Sequence, residues 1–132
     1  MAVDKRLTAL VLARDNHLCV IAGPRCGGWA TVPDHRANRG AGGSRALDDA
    51  ANLIAACGVC NGNKEDATGE WLQDLIRRGV RVLRRGQRSA QVLTRARLVP
   101  VEYPDGTWWQ LDSAGGRTPC LRSVATSERG ER

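Results

Sequence analysis

Apolar residues along this chain come in short bursts whose spacing changes from helical to extended and back. In residues 4–16, DKRLTALVLARDN, Leu7, Leu10 and Val11 fall at helical spacing with Arg14 near the end, which predicts a short amphipathic helix closed by His17 as a helix-end residue. From Leu18 to Cys60 the pattern is broken by Gly, Pro and Cys, leaving two short candidate strands, Trp29–Pro33 and Leu53–Ala56, on either side of the Gly-rich loop ANRGAGGSR. A short helical turn is expected from Asn61. A longer helix should start with Thr68 as its N-cap, bury a stripe of Trp71, Leu72, Leu75 and Ile76, and stop at Gly79. The stretch VPVEYPDGTWWQLD reads as a hairpin turning at Pro104-Asp105-Gly106, with Trp108 and Trp109 on opposite faces and one of them packed. The chain is therefore expected to be one α+β domain, 1–132, with a helix and Arg-rich segment over 68–99, a β-hairpin over 100–116 and a flexible polar tail over 117–132.

Composition changes this picture in one respect. With 132 residues, no Phe and a single Tyr, the chain has little bulk for a core, and small cores often need a covalent or metal staple. Five Cys supply the material. Asp4, Lys5 and Arg6 stand ahead of only a short apolar run, unlike a signal peptide, and no run approaches a membrane span. The expectation is a cytoplasmic protein without membrane contact, where paired Cys more often hold metal than bridge.

Cys19-x6-Cys26 and Cys57-x2-Cys60 form two pairs separated by a stretch that should fold back on itself, so four thiolates can converge on one structural Zn²⁺. The second pair has the usual knuckle spacing with Gly58 in its turn, and the first is wider, with Gly23-Pro24 making the longer turn. Cys120 is left over as an unpaired thiol.

The net charge of +6 suggests a phosphate-rich partner. Its distribution is uneven: from Leu75 to Val101 no acidic residue occurs, while Arg77, Arg78, Arg81, Arg84, Arg85, Arg88, Arg95 and Arg97 all do. A solvated helix face and a phosphate grip both fit that run. In the loop, Arg36, Arg39 and Arg45 lie near Gly40, Gly42 and Gly43, which suits close backbone approach to a phosphate and equally suits plain flexibility.

Between the Cys pairs lie Asp34-His35 and Asn52, and directly after the last Cys comes Asn61-Gly-Asn-Lys64, giving the order C…C…DH…N…CxxCN..K. At about residues 10–67 the chain resembles the HNH endonuclease family, and DHRANRGAGGS followed by NLIAACGVCNGNKED looks like small bacteriophage HNH proteins. The resemblance implies a ββα-metal core over 10–67 with a zinc knuckle. It implies His35 as general base, Asp34 and Asn61 as ligands of a catalytic Mg²⁺ or Mn²⁺, Asn52 as the residue tying the loop to the active-site backbone, and Lys64 as the family's lysine in N/H-x-x-K. The third position is Asn61, a neutral oxygen ligand, in place of the His of the family name; Asn forms occur in the family. The chemistry is consistent. A His can take a water proton near neutral pH, and hard oxygen ligands suit a hard divalent ion that neutralises charge on the phosphate. Neighbouring residues on a regular strand face opposite ways, so a strand at Pro33 must end or twist for Asp34 and His35 to share one phosphate.

The leading expectation is thus a metal-dependent DNA endonuclease of low sequence specificity, with Lys64, Arg36, Arg39, Arg77, Arg78, Arg81, Arg84 and Arg85 against backbone phosphates. The rivals are a zinc-knuckle module that binds nucleic acid without cutting and, by the same resemblance, an accessory of a phage DNA-packaging complex, meeting terminase or portal through the Trp108–Trp109 hairpin.

Overall fold

The computed structural model describes residues 2–40 and 43–121. Helix α1 (Lys5–Arg14) begins where the Asp4 carboxylate accepts from the Arg6 N–H at 3.1 Å, a side-chain cap on an otherwise open helix end. Of its expected apolar stripe, Val11 is fully buried, whereas Leu10 stays exposed and lies over Gly115. The helix is anchored through its last turn. Arg14 donates to Ala50 O and Leu53 O, and the buried Asp15 carboxylate accepts from the Ala55 N–H at 3.0 Å and the Tyr103 hydroxyl at 2.5 Å. Burial, then the charge of Asp15, pushes the Tyr103 phenol above its ordinary range, so it remains a donor.

Strand β1 (Val32–His35) pairs antiparallel with β2 (Leu53–Ala56), with Val32 opposite Ala56 and His35 opposite Leu53. β2 lies where its apolar run predicts and is buried throughout. β1 corrects the expected Trp29–Pro33 strand: Trp29 makes one isolated bridge to Leu18, and the ladder starts three residues later, where β2 offers a partner. Pro33 is tolerated because a two-stranded pair leaves each strand an outer edge.

Helix α2 (Gly58–Asn63) follows β2 directly and packs against β1, running on as a 3-10 turn over Lys64–Asp66. Helix α3 (Gly69–Arg77) begins after Thr68, which makes no side-chain cap bond, and buries Leu75 while Trp71, Leu72 and Ile76 are half-buried. Its stop at Gly79 has a steric cause: φ is +72°, and a Cβ there would fall 1.9 Å from Pro100 O. Gly79→Ala is therefore expected to destabilise the fold by about 2–4 kcal/mol, the sum of backbone strain and a backbone clash. A chemical-denaturation midpoint equal to the parent's would contradict this packing.

A further helix, α4 (Ser89–Leu98), lies inside the Arg-rich segment and buries Val92 and Ala96, one turn apart. The C-terminal hairpin is in fact a three-stranded antiparallel sheet of β3 (Val101–Glu102), β4 (Trp108–Leu111) and β5 (Arg117–Pro119). β5 replaces the start of the expected flexible tail, because Arg117 sits opposite Leu111 and Pro119 opposite Trp109; the rest of that tail, 122–132, lies outside the described residues. Trp108 is buried. Trp109 is half-buried under the Arg117 guanidinium, which stands 3.9 Å from its ring and 4.6 Å from that of Tyr103. Cys120 is a half-buried free thiol, pushed up by burial.

Two apolar clusters form the core, one around Val20, Ile21, Ile54, Leu75, Val101 and Leu111, the other around Ala37, Leu47, Val82, Val92 and Val99. No described helix is long and apolar enough to cross a membrane.

Candidate metal centre and active site

The Sγ atoms of Cys19, Cys26, Cys57 and Cys60 all lie within 4.8 Å of one another. Four thiolates at about 2.3 Å from one tetrahedral ion stand roughly 3.8 Å apart; Cys26 and Cys57 are 3.9 Å apart, too far for a disulfide and right for a shared ion. The sulfurs accept from backbone N–H groups: Gly23 onto Cys60, Gly27 and Cys60 onto Cys57, and Gly28 onto Cys26, at 3.3–3.4 Å. Such donors favour thiolate over thiol. Burial pushes Cys57 up, but the Cys60 and Gly27 N–H groups outweigh it and leave it at about 6, while burial dominates at Cys19 and Cys60 and raises both. One ion here would favour the thiolate form at all four. The donor set and spacing can hold a metal ion such as zinc. Arg78, the C-cap of α3, secures this corner, donating to Val20 O and Ile21 O at 2.9 and 2.8 Å.

β1 ends at His35, so Asp34 and His35 both belong to the ladder and face opposite ways. Asp34 is buried, and its Oδ1 accepts from Lys64 Nζ at 2.5 Å; the same ammonium donates to His35 O. Burial pushes Asp34 up and Lys64 down, each opposed by its partner's charge. Lys64 is fully buried, so its ammonium serves the end of β1 and does not reach a phosphate, which corrects its expected surface role. Asn61 is exposed on α2, its N–H bonded to Cys57 O at 3.0 Å, and it makes no described hydrogen bond to Asp34.

His35 is partly exposed, and its Nε2 lies 2.7 Å from Asp48 Oδ1. Arg39 Nη1 stands 3.5 Å from the other Asp48 oxygen. Asn52, fully buried, holds the loop that brings these groups together: its Oδ1 accepts from the Ala37 N–H at 2.9 Å, and its Nδ2 donates to Ala37 O and Leu47 O at 3.0 Å. Asp48 was not singled out from sequence. The signal available was a pair of acids, Asp48-Asp49, closing a stretch that is otherwise basic after Asp34.

The arginines divide into two sets. Arg36 is fully buried, donating to Gly79 O, Ala51 O, Ala96 O and Val99 O at 2.7–2.8 Å, and so cannot grip DNA; Arg78 is likewise committed inside. Arg77 pairs with Asp74 and Glu102, and Arg81 with Glu65. Arg84 donates to Asn38 O at 2.9 Å, joining the segment after α3 to the loop beside His35. Arg85, Arg88 and Arg97 are exposed.

No protein-family model matches the chain, and neither a curated protein nor a solved structure matches it.

Proposed function

We propose that this chain is a metal-dependent DNA endonuclease of the HNH type, with a zinc-stapled ββα-metal core. The observation that carries the reading is the end of β1: a partly exposed His35 hydrogen-bonded to a carboxylate, next to the buried Asp34, on a strand pair whose following helix starts at a four-sulfur cluster. His35 takes a proton from water. Asp34, whose described hydrogen bond falls on Oδ1, and Asn61 on α2 would hold Mg²⁺ or Mn²⁺ through hard oxygens, which requires Asp34 to turn from the inner side of the ladder toward the side of His35, and that ion would supply charge neutralisation on the phosphate. Exposed Arg85 and Arg88, with Arg84 and Arg39 near the loop, bring positive charge to the backbone of the substrate without reading bases.

Conversion of supercoiled plasmid in Mg²⁺ or Mn²⁺ tests this directly. The parent is expected to nick or linearise the plasmid, and Asp34→Ala, His35→Ala and Asn61→Ala to lose about 10²–10⁴-fold in rate while still binding DNA. A parent that binds DNA but cuts in neither metal would make the chain a zinc-knuckle binding module.

A further inference from the structure

We infer that Asp48 is the positioning residue of His35: it holds the ring proton on Nε2 and leaves Nδ1 as the atom that accepts a proton from water. The inference deepens the nuclease reading and rests on it for its kinetic consequence, though not for the state of the ring.

A carboxylate oxygen only accepts, so the 2.7 Å contact between Asp48 Oδ1 and His35 Nε2 requires the proton on Nε2. The neutral ring then carries its lone pair on Nδ1. Asp48 is in turn fixed from three sides. Its second oxygen faces Arg39 at 3.5 Å, its own N–H bonds Arg45 O at 3.0 Å, and the preceding Leu47 carbonyl is held by Asn52. The Asp48 side chain is nearly enclosed, 8% exposed, and His35 keeps 18%, so the carboxylate is largely shielded while the ring still meets solvent. A ring fixed at one nitrogen by a buried acceptor has one orientation and one tautomer, which is the requirement for a base that must meet a water held on phosphate.

In the step, a water proton passes to Nδ1 and the water oxygen bonds to phosphorus. The bond from phosphorus to the leaving oxygen breaks, its electron pair stays on that oxygen, and solvent returns a proton there. The imidazolium formed faces Asp48 through Nε2–H, so the new positive charge appears beside a fixed negative one.

Two measurements test this on the full chain. Long-range ¹H–¹⁵N correlation spectra, with His17→Gln used to assign the two histidines, are expected to show the neutral His35 ring protonated at Nε2. Asp48→Asn, close in shape, is expected to lower the plasmid-cutting kcat about 10- to 100-fold with KM and the thermal transition near the parent's, and to mix the two tautomers. A parent ring protonated at Nδ1, or an Asp48→Asn protein with the parent's kcat, would overturn the inference. A parent that does not cut would overturn the nuclease reading instead and leave the tautomer to decide the role of Asp48. If Asp48→Asn failed to fold, the parent spectrum alone would still decide.

Discussion

Stripping the metal from the four-sulfur cluster is expected to unfold the chain as a whole. The cluster joins the segment at Cys19–Cys26 to the start of α2 at Cys57–Cys60, and three of its four cysteines are buried in the larger apolar cluster. Structural Zn²⁺ in small domains contributes about 10–16 kcal/mol, as much as or more than the roughly 5–15 kcal/mol that separates folded from unfolded chains. A core without Phe has little in reserve to replace it. Circular dichroism during heating should show a cooperative transition in the zinc-loaded protein and none, or one displaced far downward, after chelation; Cys60→Ser should behave like the stripped protein. A stripped sample, shown metal-free by elemental analysis, that melts with the loaded one would rule out the staple.

The second large effect is expected at Arg36. Its guanidinium has no exposure and donates to four carbonyls drawn from the turn before β2, the end of α3 and the end of α4. These lie near helix C-termini, where carbonyls lack partners and the helix field is negative, so one cation satisfies several groups at once. Arg36→Met fits the space but orphans those carbonyls, and a loss of about 3–5 kcal/mol is expected, seen as a Tm lower by roughly 10–20 °C. Arg36→Lys should recover little of it, because a single ammonium cannot meet acceptors spread along a planar fork. A methionine variant with the parent's Tm would show that the buried fork contributes nothing net to stability.

Arg36 also shows what a sequence hides. Standing after Asp34-His35 among glycines, it reads as a phosphate contact, because a side chain's destination depends on carbonyls up to 63 residues away. Elements with strong local signals were legible: α1 from its apolar spacing, α3 from its stripe and Gly79, β2 from four consecutive apolar residues. α4 was obscured because only Val92 and Ala96 are fully buried, with Leu93 packed beside them, among Arg, Gln and Thr. β5 has no pattern of its own and exists through pairing with β4. At the site, the order of Cys, Asp34-His35, Asn52 and Asn61 was legible because spacing along the chain carries it. The capture of Asp34 by Lys64 and of His35 by Asp48 was not, since both depend on how a loop and a 3-10 turn fold back.

The Asn52 clamp has a consequence for how the chain can change over generations. Because one amide fastens Ala37 and Leu47 together, the chain between them leaves and returns at one neck, and Asp48 stands just beyond it, held also by Arg39 and the Arg45 carbonyl. Doubling such a loop costs only about 0.6 kcal/mol in closure entropy. The stretch between Arg39 and Arg45 can therefore gain or lose residues, and with them new contacts to a substrate, while the neck, the histidine and its carboxylate keep their places: a variable region built into a fixed frame.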